Sequence, residues 1–371
     1  MTTSRLPRLA TLSVAVLLVA ACAGTRERPD TSSTPLPATT MPTDAVVVAE
    51  AFLTPPLPRH EIDSVAAWLS PGGDTWLIAT GKESNQLVVY DGDTGAVREI
   101  VGGPGEAPGE FRRPNGIAVY ADLLFVVERD NKRVQVLELP SFRPIAIFGA
   151  GELKNPYGLW LRETVPGELE MLVTDSFMAD YATETVPPLA ELSQRVKRYR
   201  VVLAGERPSA TLLGQFGDTT EAGALRMVES IAGDPANDRV LIAEEDVRVG
   251  TTLREYRLDG RWTGQSLPRF QSQAEGVALW ACPDGRGYWI AADQSKERTV
   301  FHLFDRRDLH FAGSFTGTTL AMTDGIWLQA AGSRRFPYGV LYAAHDDAGA
   351  GAFDWRDIAT ALKLPRTCDG P

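Results

Sequence analysis

Six times along the chain a run of apolar positions restarts behind a polar residue, and Gly or Ser follows that residue in most cases. The segments are HEIDSVAAWL, RRPNGIAVY, KNPYGLWL, RMVESIAGD, SQAEGVALW and AMTDGIWLQ. The residues at the equivalent point are Asp63, Asn115, Tyr157, Glu229, Glu275 and Asp324, spaced 52, 42, 72, 46 and 49 apart. Between restarts lie short stretches of alternating or continuous apolar character, such as DTWLIATG and QLVVYDGDTG, the second closed by an Asp-Gly turn. Gly and Pro punctuate the chain about every eight to twelve residues. A repeat of this size built from four short strands predicts an all-β, six-bladed β-propeller. Helical periodicity is confined to an insertion in the third repeat, 178–195, and to the last segment, FDWRDIATAL. The extended EAFLTPPLP near residues 50–58 is placed to pair with the last blade and close the ring, which removes an exposed sheet edge.

The first strand of each blade begins near the central channel of a propeller. Six distant segments therefore deliver one residue each to one small ring, and that ring is mostly carboxylate and phenol. Carboxylates converging on one mouth repel each other unless a positive group sits between them. A hard cation, calcium, is the natural occupant. Glu245 follows a second strand and joins the candidate ligands, whereas adjacent Glu244 alternates to the other face. Lys82 and Arg129 also stand just after second strands. Trp68, Trp160, Trp280, Trp289 and Trp327 sit in strand runs and read as packing between blades. His345, beside Asp346 and Asp347, reads as a turn residue.

The N-terminus follows a different pattern. Arg5 and Arg8 precede an apolar run from about Leu12 to Ala21, too short to span a bilayer and suited to a secretory signal. Val19-Ala20-Ala21-Cys22 resembles a bacterial lipobox, which makes Cys22 the lipidation site and residues 1–21 a lipoprotein signal peptide. Residues 22–45, rich in Thr, Pro, Ser and Ala, read as a flexible tether. Residues 46–371 then form the propeller. The location expected is the bacterial cell envelope, periplasmic or cell-surface, with membrane contact only through the lipid. The formal charge of −11 becomes −13 without Arg5 and Arg8 (35 basic against 48 acidic residues), which argues against nucleic-acid binding. An oxidising compartment permits a disulfide between Cys282 and Cys368 that would pin the C-terminal tail to the fifth repeat; two unpaired thiols are the alternative. No G-x-S-x-G, H-E-x-x-H or Walker motif is present.

GEFRRPNGIAVYADLLFVVERDNKRVQVLEL resembles an NHL-type propeller repeat, a generic binding blade. AEGVALWACPDGRGYWIAADQ, VFHLFDRRDLHFAGSF, TDGIW, FPYGVLYAAHDD and FDWRDIATAL resemble the last blades of β-propeller phytases. VESIAGDPANDRVLIAEED and IDSVAAWL…LIATGKESNQLVVYD resemble the fourth and opening blades of that family. The resemblance covers most of residues 60–362. It implies a calcium-dependent phosphomonoesterase that releases phosphate from myo-inositol hexakisphosphate or a related ester, a metal-activated water attacking the phosphate. It implies Asp63, Glu229, Glu245, Glu275 and Asp324 as calcium ligands. It implies catalytic roles for Tyr157, Lys82, Arg129 and Glu229 around the phosphate, and a monomer. The chain departs from the family at Ser176, where a Lys is expected, and at Gln273 and Thr318, where acids are expected. These departures imply fewer ions, another ester, or lost catalysis. The competing reading is a non-catalytic, surface-anchored propeller that binds a ligand or a protein partner.

Overall fold

The computed structural model describes residues 1–2, 44–205 and 207–368. The signal sequence, Cys22 and nearly all of the tether lie outside the described residues. The described chain starts with two short strands, β1 (Val46–Val47) and β2 (Phe52–Leu53). Six antiparallel meanders follow. Blade one holds β3 (Ile62–Leu69), β4 (Thr75–Gly81), β5 (Gln86–Asp91) and β6 (Val97–Val101). Blade two holds β7 (Pro114–Tyr120), β8 (Leu123–Glu128), β9 (Arg133–Glu138) and β10 (Arg143–Phe148). Blade three holds β11 (Pro156–Val165), β12 (Glu168–Asp175), β13 (Val196–Val202) and β14 (Ser209–Phe216). Blade four holds β15 (Val228–Asp234), β16 (Arg239–Glu244), β17 (Thr252–Tyr256) and β18 (Trp262–Leu267). Blade five holds β19 (Gln273–Ala281), β20 (Gly287–Gln294), β21 (Val300–Asp305) and β22 (Phe311–Thr316). Blade six holds β23 (Ile326–Gln329), β24 (Val340–His345) and β25 (Gly349–Asp354), with β2 as its outermost strand. The chain is therefore a six-bladed β-propeller. The insertion contains a 3-10 helix, Leu189–Gln194, and the last segment is helix α1, Trp355–Leu362.

The strand patterns follow from this stacking. The middle strands of a blade lie between two neighbouring blades, so both faces are covered and the sequence runs continuously apolar, as in β4 and β12. The outermost strand meets solvent, and β14 alternates strictly between exposed and half-buried residues. The apolar core is six clusters, one in each interface between adjacent blades. Trp68, Trp280 and Trp289 are buried members of these clusters and Trp160 packs against two of them. Trp327 touches three clusters from the channel side.

Two devices close the ring. Phe52 and Leu53 pair antiparallel with Ala352 and Gly351, as the extended N-terminal segment predicts. Val46 and Val47 pair parallel with Phe315 and Thr316 of blade five. Cys282 and Cys368 form a disulfide, which ties the tail after α1 to blade five.

The restart dipeptides have a definite structure. In five blades the inner strand carries two residues opposite one of its neighbour: Asp63-Ser64, Asn115-Gly116, Tyr157-Gly158, Glu229-Ser230 and Glu275-Gly276. These are β-bulges, which re-aim a side chain. Asp324-Gly325 holds the same phase just before β23, with Gly325 O accepting from Ala344 N at 2.9 Å. The second residue is small because the inner strands converge there. A Cβ on Gly116 would lie 2.3 Å from Tyr157 O, and one on Gly158 would lie 2.4 Å from Glu229 O. Gly276 N and Gly325 N donate across blades to Asp324 O and Asp63 O at 2.8 and 3.0 Å.

Gly158→Ala should cost about 1–3 kcal/mol, because its Cβ meets backbone that cannot yield. Gly214→Ala, with open space around it, should be near neutral in the same urea titration. A near-neutral Gly158→Ala would refute the steric account. Cys282→Ser should cost about 4 kcal/mol, since the cross-link spans 86 residues and restricts the unfolded chain. Denaturant midpoints with and without reductant check this: wild type should fall to the variant's value on reduction.

Candidate functional site

The five bulges and the equivalent Asp324-Gly325 step turn Asp63, Asn115, Tyr157, Glu229, Glu275 and Asp324 toward one mouth. All but Glu229 are buried, Glu229 being partly exposed. A second tier comes from the residue at the end of each second strand: Lys82, Arg129, Ser176, Glu245, Gln294 and Asp346. Its spacing is 47, 47, 69, 49 and 52 residues. In blades one to four the backbone N–H of this residue donates to the segment that enters the inner strand. Lys82, Arg129, Ser176 and Glu245 bond Glu61 O, Arg113 O, Asn155 O and Met227 O at 2.9–3.0 Å.

In blades two to five an acid before the second-tier position fixes it. Glu128 accepts from Arg112 N, Asp175 from Lys154 N and Asn155 N, Glu244 from Arg226 N and Met227 N, and Asp293 from Gln271 N and Ser272 N. The sequence reading that Glu244 turns away from the mouth while Glu245 faces it agrees with this arrangement. A basic residue on the third strand faces each of these acids: Arg133, Lys197, Arg254 and His302. Burial raises the pKa of Glu128, Asp175 and Glu244 even so.

Two kinds of environment share the mouth. Lys82 Nζ lies 3.3 Å from Asp324, 3.5 Å from Asp63 and 3.5 Å from Asp347 of the blade-six hairpin. Asn115 Nδ2 donates to Asp63 Oδ1 at 3.2 Å, Ser64 Oγ to Asp63 Oδ2 at 2.9 Å, and Gln294 Nε2 to Asp324 Oδ1. Across the mouth, one oxygen from each of Glu229, Glu245 and Glu275 lies within 4.8 Å of the others. Glu229 and Glu275 share a hydrogen bond, and both carboxyls are pushed well above the usual range by desolvation and then by neighbouring acids. Glu275 Oε2 and Gln273 Oε1 are buried and lack a hydrogen-bond partner among the described residues, while Gln273 Nε2 donates to Glu245 Oε2 at 3.3 Å. Three carboxylates, an orphaned carboxylate oxygen and an orphaned amide oxygen are the donor set of a hard cation such as calcium. The cavity inside the ring is about 20 Å³, room for one ion or water.

Arg129 Nη1 donates to Tyr157 Oη at 3.3 Å, and Nε donates to Asp130 at 2.9 Å. Burial works against this guanidinium, but Tyr157 and Asp130 hold its pKa above the ordinary value and keep it charged. The structure thus brings together the mouth residues expected from the sequence, Asp63, Lys82, Arg129, Tyr157, Glu229, Glu245, Glu275 and Asp324, while Cys22 lies outside the described residues. Ser176 is buried, and its Oγ accepts from Val228 N at 3.1 Å, so it anchors the strand that carries Glu229. Thr318 lies away from the mouth, exposed and bonded to Glu50. Gln294 escaped the sequence reading; counting the second-tier phase from Lys82 and Arg129 would have found it. Beneath the ring the channel widens to about 330 Å³ between Val65, Ile117, Leu159, Ile231, Val277 and Trp327. Among the described residues no helix is long and apolar enough to cross a membrane.

Fold and site together define a six-bladed propeller with an acidic mouth. No protein-family model matches the chain, and no curated protein does. Several solved structures are similar in outline. Hydrazine synthase of Kuenenia stuttgartiensis shares 12% identity over 84% of this chain and 82% of that one, with a TM-score of 0.46. The Cps50 (Swd1) β-propeller domain of Myceliophteria thermophila shares 10% identity over 82% and 99%, with a TM-score of 0.43. A chain of the nidogen/laminin complex shares 13% identity over 70% and 81%, with a TM-score of 0.44.

Removing charge from the Glu cluster should have opposite effects with and without metal. In chelator, Glu229→Gln with Glu275→Gln should raise stability, since two crowded acids lose their mutual repulsion. In millimolar calcium the wild type should gain several degrees in Tm and the double variant little, because only a ligand of the native state shifts unfolding. Thermal melts in both conditions decide it; an equal calcium gain in both proteins would exclude the cluster as the ion site.

Proposed function

We propose that the protein is a calcium-dependent phosphomonoesterase acting at the propeller mouth on myo-inositol hexakisphosphate or a related phosphate ester. The observation that carries this reading is the convergence of the Glu229–Glu245–Glu275 oxygens with a charged Arg129–Tyr157 pair on one ring. The sequence resemblance to β-propeller phytases supports it at the same residues.

The chemistry follows from the charges. A phosphate monoester carries roughly two negative charges near pH 7, so an uncompensated carboxylate ring repels it. Glu229, Glu245 and Glu275 would hold calcium, with Gln273 Oε1 as a neutral donor. When bound, calcium would supply positive charge that draws a phosphate to the mouth and polarises a phosphoryl oxygen. Arg129 is buried beside Tyr157, and its fixed planar charge favours a phosphate at the mouth. Tyr157 orients that guanidinium through its hydroxyl. Lys82 lies among three carboxylates, and its charge offsets Asp63 and Asp324 beneath the phosphate.

The alternative of a non-catalytic propeller that binds a ligand or partner draws on one observation. Ser176 stands where the related enzymes carry a phosphate-binding Lys, and its hydroxyl is committed to Val228 N.

Phosphate release from myo-inositol hexakisphosphate and from p-nitrophenyl phosphate should require calcium and stop in excess chelator. Arg129→Ala should lower kcat/KM about 100-fold through loss of a charged donor. Tyr157→Phe should lower it about tenfold through loss of one hydrogen bond. No release from either ester, with calcium binding intact, would replace the enzyme reading with the binding one.

A further inference from the structure

The two sides of the mouth differ in how completely their acids are satisfied. On the side of blades one and six, all four oxygens of Asp63 and Asp324 have partners: Asn115, Ser64, Gln294 and Lys82. The Lys82 side chain is 1% exposed, and its Nζ, with three donors, lies 3.3–3.5 Å from carboxylate oxygens of Asp63, Asp324 and Asp347. On the side of blades four and five, two of the three acids, Glu229 and Glu275, lack such a counter-charge among the described residues. Glu229 and Glu275 make no ion pair with Lys or Arg among the described residues, and Glu275 Oε2 and Gln273 Oε1 are buried without a hydrogen-bond partner. An ammonium ion held by three carboxylates is equivalent in charge and position to a bound monovalent cation.

We infer that the Lys82 ammonium is a built-in cation that fills the Asp63–Asp324–Asp347 side of the mouth. The ring then takes one calcium ion, on the Glu229–Glu245–Glu275 side, and removal of the Lys82 charge opens a second calcium site opposite. The first clause stands on the charge geometry alone; the single-ion count rests on the metal reading proposed above. Arg129, by contrast, is held by one carboxylate and a phenol, so the two basic residues of the mouth serve different purposes. Lys82 offsets protein charge among three acids, while the buried Arg129 is fixed by Asp130 and Tyr157.

The test is a count of bound calcium by isothermal titration calorimetry, repeated with terbium luminescence, on the mature chain with the metal ion alone as probe. Wild type should bind one ion, Glu275→Gln should lose at least tenfold in affinity for it, and Lys82→Met should bind two. Lys82→Arg, which keeps the charge, should stay at one, and Lys82→Met with Asp347→Asn should weaken the gained site at least tenfold. An unchanged count in Lys82→Met overturns the inference, and so does a wild type that fills both sides. If wild type binds no calcium, the metal reading fails, yet a rise from none to one in Lys82→Met still supports the internal cation. Should Lys82→Met unfold in chelator, refolding in millimolar calcium supports the inference and failure to refold overturns it.

Discussion

Six inner strands meeting around one axis is the constraint on which the rest of this structure depends. Backbones from adjacent blades approach so closely at the bulge that the residue after each ring position has space for little or no side chain. Two amide bonds across blades, Gly276 to Asp324 and Gly325 to Asp63, hold that approach. The bulge and the small residue are one device. Two residues against one re-aim the ring side chain, and the missing Cβ lets the next blade come in.

The same convergence concentrates charge. Carboxylates from blades one, four, five and six are gathered within a few ångströms of a cavity the size of one ion. A core that gathered them without compensation would lose stability, since buried like charges raise each other's pKa and resist ionisation. The molecule answers in two ways. Lys82 of blade one, Asn115 of blade two and Gln294 of blade five supply an ammonium ion and amide donors to Asp63 and Asp324. Blade five leaves Glu275 Oε2 and Gln273 Oε1 without a hydrogen-bond partner among the described residues, which suits an external cation. The repeated acids behind the mouth, Glu128, Asp175, Glu244 and Asp293, belong to the scaffold. They bind incoming backbone and hold the neighbouring ring residue in place.

Much of this was legible in the sequence, for physical reasons. The restart pattern reports the bulge directly, so blade number, strand order and all six first-tier residues could be read from it. The closing segment was legible because an extended apolar stretch before the first blade has one free edge to pair with. Gln294 was not legible. An uncharged amide after an acid carries no chemical signal, and only the second-tier phase marks it. Thr318 misled for the opposite reason. Counting six residues back from Asp324 assumes a constant loop path, yet Glu50 from the N-terminal segment captures that loop and turns it outward. The roles within the ring were also hidden, since spacing shows that Lys82 and Arg129 share a phase but not that three acids surround one of them.

That difference narrows what the mouth can recognise. A ligand anion gains little from an ammonium ion already shared by three carboxylates, because each unit of favourable charge is offset at 3.3–3.5 Å. On the proposed reading, recognition falls to the cation that the Glu cluster would hold and to the charge of the buried Arg129. A group bridging both must be compact, strongly negative and presented from outside the ring, which describes a terminal phosphate better than an internal diester or a bulky neutral sugar. On the proposed reading, selectivity for the remainder of the molecule arises on the outer face of the propeller, in the loops that join one blade to the next.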